Sequence, residues 1–137
     1  MCRACADESA GGVERVLVID DEPSVADALR VILEDEGFAV VVASNGREGL
    51  EQASRASFRV TITDLRLPDM DGLEVLGACR ENNVGGAVIL ITSYGTPEIL
   101  ARARDLGAAG FIAKPFMPSE ILQLVAAALE AREACDY

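Results

Sequence analysis

Two kinds of segment alternate five times along this chain, and the alternation restricts the folds that it can adopt. Short apolar runs rich in β-branched residues, each bounded by Gly, Pro, Asp or Ser, are typical of buried parallel strands. These runs are Val16–Ile19, Phe38–Ala43, Phe58–Thr63, Ala87–Ile91 and Ala109–Ala113. Segments of helical periodicity lie between them, which indicates βαβ units with right-handed crossovers. The sequence therefore predicts an α/β domain with helices on both faces of a parallel sheet.

The helical segments are recognisable from their apolar spacing and from the residues at their ends. The first has Pro23 near its start and Gly37 just past its end, and the fourth has Thr96 as its N-cap followed by Pro97. The second is predicted over residues 48–56, the third around residues 73–79 and the fifth from near Pro118. Five strands suit the doubly wound order 2-1-3-4-5, in which ligands bind beyond the carboxyl ends of the strands, between strands 1 and 3.

Length and charge limit the classes of function. The 137 residues are the length of one domain, and we predict a flexible leader at residues 1–12, a folded domain at 13–132 and a tail at 133–137. Acidic residues outnumber basic ones by 23 to 12, which argues against direct binding to nucleic acid or to anionic membranes, because phosphates are held by clustered Lys and Arg. The absence of His excludes Ser-His-Asp triads and His-bearing zinc sites.

The cysteines and the apolar runs bear on the compartment. Cys2 and Cys5 have CxxC spacing, but no second pair completes a zinc site, so we interpret them as incidental thiols. Neither an apolar run of membrane-spanning length nor a signal peptide is visible in the sequence. We therefore expect a cytoplasmic protein.

Polar side chains follow the carboxyl ends of four predicted strands. Asp20 and Asp21 follow the first, Asp64 follows the third, Thr92 follows the fourth, and Lys114, the single lysine of the chain, follows the fifth. Clustered carboxylates repel one another and need a cation, for which Lys114 or a hard ion such as Mg²⁺ is suited. A carboxylate, a metal ion, a hydroxyl and an ammonium together indicate phosphoryl transfer to the carboxylate. The alternative reading of the acidic pair is a solvated turn.

Four ordered motifs resemble the receiver domains of bacterial response regulators, the phospho-accepting part of two-component signalling. They are VLVIDDEPSV, TITDLRLPDMDGLEVL, ILITSYGTPE and AAGFIAKPF, and the resemblance covers about residues 13–131. The residues of these motifs are most similar to those of receiver domains that precede ATPase-type transcriptional activators. The resemblance implies a flavodoxin-like (βα)5 sandwich with sheet order 2-1-3-4-5.

The resemblance also implies a role for each matching residue. Asp64 would accept the phosphoryl group. Magnesium, for which Mn²⁺ is a possible substitute, would be held by Asp20, Asp21, Asp64 and the backbone carbonyl of Arg66, with Asp20 acting largely through a water. Thr92, Lys114 and Phe111 would form the phosphate-binding and switch group, Arg66 and Tyr94 would tune the lifetime of the phosphorylated state, and Pro115 would follow a cis peptide bond. The alternative for Phe111 is an ordinary core aromatic.

The implied partner is a sensor histidine kinase or a histidine phosphotransfer protein that donates phosphate from a phosphohistidine. Phosphorylation would switch the surface formed by the fourth helix, the fifth strand and the fifth helix, through which a homodimer is possible. Such a protein is not an enzyme with a separate substrate, because it catalyses only its own phosphorylation and dephosphorylation. Its output is then either a partner protein or a further domain of a longer regulator.

Three competing functions remain to be compared. A haloacid-dehalogenase-like phosphatase needs a second Asp two residues after its nucleophile, but Glu22 follows Asp20 and Arg66 follows Asp64 at that spacing. A nucleotide or flavin binder needs a glycine-rich loop after the first strand, where acidic residues stand instead. A degenerate receiver that serves only as a binding module would lack part of the acidic, hydroxyl and lysine set, which is complete here.

Overall fold

The computed structural model describes residues 14–93 and 95–135, with side chains described up to residue 130. In this part of the chain the strands are β1 (Arg15–Ile19), β2 (Ala39–Ala43), β3 (Val60–Asp64), β4 (Ala87–Thr92) and β5 (Gly110–Ala113). The helices are α1 (Pro23–Asp35), α2 (Gly46–Arg55), α3 (Gly72–Asn82), α4 (Pro97–Asp105) and α5 (Pro118–Cys135). The predicted leader with Cys2 and Cys5, the lifetime residue Tyr94 and the last two residues lie outside the described residues.

The five strands form one parallel sheet in the order β2-β1-β3-β4-β5, which confirms the predicted doubly wound, flavodoxin-like architecture. The register aligns the carboxyl ends of the central strands. Ile19 pairs with Thr63, so that Asp20 and Asp64, the next residues along, lie side by side, and Thr92 pairs with Ala113 directly before Lys114. The predicted site residues therefore meet at one edge of the sheet.

A hydrophobic core on each face of the sheet holds this edge in place. Alternate strand residues point to opposite faces. One core joins Val16, Val18, Ile62 and Ile89 to α1 and α5 through Leu29, Leu33, Ile121 and Val125. The other joins Leu17, Ile19 and Leu90 to α3 and α4 through Leu73, Leu76 and Ala103. Burial of each large aliphatic side chain stabilises the fold by about 1.5–3 kcal/mol, so the two cores stabilise the sheet behind the strand ends.

Several element boundaries differ from the prediction by one or more residues, among them those of two helices. Helix α2 begins at Gly46, two residues before the predicted Glu48, because the side chain of Asn45 accepts a hydrogen bond of 2.8 Å from the backbone N–H of Glu48 and caps the helix. Helix α5 runs through Cys135, into the segment predicted as a tail, since neither Gly nor Pro interrupts the sequence after Pro118. Among the described residues, no helix combines the length and the apolar character needed to cross a membrane.

Candidate functional site

Two aspartates that end adjacent strands are buried at the centre of the edge. Asp20 and Asp64 are 2% and 7% exposed. Oδ1 of Asp20 accepts a hydrogen bond of 2.9 Å from the backbone N–H of Glu22, and Oδ1 of Asp64 accepts one of 3.3 Å from the backbone N–H of Arg66. Burial raises the pKa of Asp20 above its usual value, and the charge of Asp64 adds to the effect. The fold therefore holds two carboxylates together at a cost that a cation would offset.

Lys114 supplies one such cation. Its Nζ lies 2.9 Å from Oδ2 of Asp64, 3.1 Å from Oε1 of Glu22 and 3.5 Å from Oδ2 of Asp20. Burial opposes the charged form of this side chain, but the hydrogen bonds to Asp64 and Glu22 and the nearby charge of Asp20 outweigh burial and raise its pKa. The ammonium group is therefore charged at neutral pH and bonded to the predicted acceptor.

The carboxylates satisfy a direct test of fit to a metal ion. One carboxyl oxygen from each of Asp20, Asp21 and Asp64 lies within 4.8 Å of the others. Oδ2 of Asp20 is buried and has no hydrogen-bond partner among the described residues. Buried acceptors are rarely left in this state, and a bound cation would satisfy it. An all-oxygen donor set suits a hard divalent ion such as Mg²⁺.

An open pocket of about 230 Å³ lies over these groups. Its lining residues are Asp21, Glu22, Asp64, Arg66, Thr92, Ser93 and Lys114. The structure thus brings together the predicted acceptor, the predicted lysine, Thr92 and Arg66. Asp20 does not line the pocket, but it contacts Lys114, which does.

The remaining predicted residues lie on β5 and just after it. The Lys114–Pro115 peptide bond is cis, at the position where the resemblance implies one. Phe111 is partly buried and packs against the core that contains α3 and α4. This position is compatible with both readings of the residue, the switch aromatic and the core aromatic.

The loop that follows Asp64 is held in place from two directions. Gly72 packs so closely that a Cβ atom there would lie 2.6 Å from the backbone oxygen of Asp64. The carboxylate of Asp69 accepts hydrogen bonds of 2.8 and 2.9 Å from the backbone N–H groups of Gly46 and Arg47, at the first turn of α2. The PDMDG segment of the motif therefore fixes the acceptor strand end against α2 and α3.

Sequence reasoning did not include Glu22 and Ser93 among the site residues, although both line the pocket. Each stands directly after a predicted residue, Asp21 and Thr92 respectively, which was the available signal. The contact between Glu22 and Lys114 joins positions 92 residues apart in the sequence and depends on the pairing of the strands, so composition and spacing could not show it.

Comparisons with known proteins agree with this geometry. The family model described as "Response regulator receiver domain" matches residues 16–126. The transcriptional regulatory protein KdpE of Mycobacterium tuberculosis is 39% identical over 119 residues, which cover 87% of this chain and 52% of KdpE. The chain spans about half the length of such transcriptional regulators.

Two solved structures share the fold along nearly their whole length. A CheY-like response regulator receiver domain protein from Methanospirillum hungatei superposes with a TM-score of 0.85 at 31% identity, covering 89% of this chain and 98% of that chain. The beryllofluoride-activated NtrC4 receiver domain dimer, solved in solution, superposes with a TM-score of 0.81 at 35% identity, covering 85% of this chain and 97% of that chain.

Proposed function

Because this chain belongs to the response regulator receiver domains of two-component signalling, we propose that Asp64 accepts a phosphoryl group in a Mg²⁺-dependent reaction. The donor would be the phosphohistidine of a sensor histidine kinase or of a histidine phosphotransfer protein. One observation carries the proposal. The charged Nζ of Lys114 lies 2.9 Å from Oδ2 of Asp64, beside a buried oxygen of Asp20 that has no hydrogen-bond partner among the described residues.

The chemistry requires the groups that line the pocket. An oxygen of the Asp64 carboxylate forms a bond to phosphorus while the bond from phosphorus to the donor nitrogen breaks, and the imidazole nitrogen keeps that electron pair. Lys114 and the hydroxyl of Thr92 would hydrogen-bond two phosphoryl oxygens as charge redistributes. Asp21, Asp64 and the carbonyl of Arg66 would hold Mg²⁺, with Asp20 acting through a water, and the ion would neutralise charge on the phosphoryl oxygens.

The proposed output is a shift between two conformations of the domain. The hydroxyl of Thr92 contacts the phosphoryl group only in the phosphorylated state, and this difference in contacts can bias the equilibrium. Movement of Thr92 would let Phe111 turn inward and repack the surface of α4, β5 and α5. That surface would act on a partner or output domain, or pair with a second copy. The structure similar to this chain that was solved as an activated receiver domain dimer supports the pairing.

The protein would act as a signalling domain and not as an enzyme with a separate substrate. Its reaction begins and ends on Asp64, and water returns the carboxylate to its starting form. Arg66 lines the pocket next to Asp64 and, together with Tyr94, would set how long the acyl phosphate lasts. We also propose that the protein acts in the cytoplasm and that it is related to the receivers of ATPase-type activators.

Labelling of Asp64 tests the proposal directly. The protein is incubated with acetyl phosphate and MgCl₂, and intact-mass spectrometry follows the gain of one phosphoryl group. We expect the gain in the wild-type protein, its loss on chelation of Mg²⁺ and its loss in Asp64→Asn. Asp35→Asn, which makes the same chemical change at an exposed residue of α1, should be labelled like the wild type. An undiminished phosphorylated peak in Asp64→Asn would refute the assignment of the acceptor.

A further inference from the structure

Glu22 differs in exposure from Asp20 and Asp64, the two buried carboxylates at the strand ends. Its side chain is 58% exposed, whereas those of Asp20 and Asp64 are 1% and 9% exposed. It does not belong to the group of aspartates whose oxygens could share a metal ion. Glu22 nevertheless contacts the lysine of the site, since its Oε1 accepts a hydrogen bond of 3.1 Å from Nζ of Lys114.

The side chain of Glu22 contacts Lys114 and does not cap the helix that it precedes. The residue occupies the N-cap of α1, a position where short side chains such as Ser or Asp usually accept a hydrogen bond from the first turn of the helix. Within the described residues its carboxylate makes no such bond, and only its backbone carbonyl accepts from Val25 and Ala26. The side chain instead reaches across the pocket to the residue that follows β5.

The distances place the charge of Glu22 close to the acceptor. Nζ of Lys114 is 2.9 Å from Asp64 and 3.1 Å from Glu22, so the two carboxylate oxygens lie within about 6 Å of each other. That separation is shorter than the Debye length of about 8 Å at physiological ionic strength, so salt does not remove the interaction. Glu22 and Asp64 line the same open pocket, so a phosphoryl donor bound at Asp64 would lie within reach of the charge of Glu22.

We propose that Glu22 is a specificity-determining residue that favours phosphoryl donors whose leaving nitrogen carries a positive charge, such as phosphohistidine, over dianionic acyl phosphates. The inference rests on the proposed function of Asp64 and adds the choice of donor. With acetyl phosphate, the P–O bond breaks and acetate leaves with the electron pair. With a protonated phosphoimidazole, the P–N bond breaks and neutral imidazole leaves, so Glu22 faces a positive charge that exists only in the donor.

The test compares the two donor classes on the same variants. Initial rates of Asp64 phosphorylation are measured by intact-mass spectrometry with acetyl phosphate and with phosphoimidazole, at MgCl₂ concentrations that saturate each variant. Loss of one unit charge at about 6 Å should raise the rate of Glu22→Gln with acetyl phosphate about threefold. The rate with phosphoimidazole should stay the same or fall. The ratio of the two rates should therefore change at least threefold.

Three controls separate charge from structure. Glu22→Asp retains the charge and should keep the wild-type ratio of rates. Glu36→Gln makes the same change at an exposed residue at the far end of α1 and should also keep it. In 1 M KCl, where the Debye length is about 3 Å, the difference between Glu22→Gln and the wild type should nearly disappear.

Each other outcome overturns the inference. Equal changes for both donors would show that Glu22 only positions Lys114, and unchanged rates would show that its charge has no influence. In both cases labelling of the wild type on Asp64 would leave the proposed function intact. A wild-type protein that takes phosphate from neither donor would overturn both proposals.

Discussion

The guanidinium carbon of Arg104 lies 5.8 Å from the centre of the Phe111 ring. This cation–π contact joins α4 to β5, two of the three elements of the proposed switch surface. A contact of this kind at an exposed position stabilises the arrangement that contains it by about 0.5–1 kcal/mol. Arg104 therefore holds Phe111 in the partly buried position described above.

Replacement of Arg104 by Ala should weaken that position and favour the activated arrangement. The affinity for beryllofluoride in the presence of Mg²⁺ should rise about two- to fivefold, which corresponds to the stabilisation given above. Isothermal titration calorimetry measures the affinity. Arg102→Ala removes a neighbouring exposed guanidinium from α4 and serves as the control. Equal affinities of the two variants would show that the contact with Phe111 does not bias the switch.

Asp20→Asn should have opposite effects on stability and on metal binding. In the metal-free protein the burial of the charged carboxylate near Asp64 opposes folding, as the raised pKa of Asp20 indicates. A neutral amide of the same shape should raise the free energy of unfolding by about 1 kcal/mol. The Mg²⁺ affinity should fall at least about tenfold. Thermal denaturation without divalent ions and calorimetric titration with Mg²⁺ measure the two effects, and a lower melting temperature would contradict the argument.

Gly72 and Gly77 provide a matched pair within α3. A Cβ atom at Gly72 would lie 2.6 Å from the backbone oxygen of Asp64 and 2.8 Å from Cα of Leu65. Gly72→Ala should therefore displace the acceptor strand end, destabilise the fold by about 1–3 kcal/mol and slow the labelling of Asp64. At Gly77 a Cβ atom would meet nothing within 4 Å among the described residues, so Gly77→Ala should stabilise the helix by about 1 kcal/mol. Urea denaturation distinguishes the two, and equal effects would argue against the steric explanation.

Asp69→Asn should produce a loss of stability that depends on pH. The hydrogen bonds from the backbone N–H groups of Arg47 and Gly46 lower the pKa of Asp69 below its ordinary value of 3.8. A lowered pKa in the fold means that the ionised carboxylate contributes stability above pH 3.8, and that this contribution is lost as the pH falls through the folded pKa.

The melting temperature of Asp69→Asn should thus be a few degrees below that of the wild type at neutral pH. The difference should shrink when both proteins are measured below the ordinary pKa of an aspartate. Asp35→Asn, at an exposed residue of α1, should not reproduce this pattern. A gap between Asp69→Asn and the wild type that stays constant with pH would assign the effect to shape and not to charge.

Local signals were sufficient for most of the fold. Thr96 and Pro97 predicted the start of α4, and the structure has the Thr96 side chain capping that helix and Pro97 as its first residue. The start of α2 was missed because its signal is divided between the adjacent cap Asn45 and the distant Asp69. The N–H groups of the first turn of a helix can be satisfied from anywhere in the fold, and periodicity does not detect such partners.

In the site, too, some residues could be predicted from the sequence and others depend on contacts that form only in the fold. The rule that ligands bind beyond the carboxyl ends of parallel strands predicted that Asp20, Asp64 and Lys114 would meet, and the register of β1 with β3 brings the two aspartates side by side. Glu22 was not assigned a role because its only signal in the sequence, its position directly after Asp21, does not distinguish a site residue from an acid in a solvated turn. Its contact with Lys114 depends on the direction of one side chain, which only the folded structure shows.

Lys114 is the only lysine of the protein, so chemical modification of lysine reports on the pocket alone. Every other basic side chain of the protein is an arginine, so an amine-selective reagent can attach to only one side chain. That side chain is 12% exposed and held by carboxylates. The extent of its acylation thus serves as an intrinsic gauge of how tightly the ammonium is engaged, with no dye, tag or engineered cysteine.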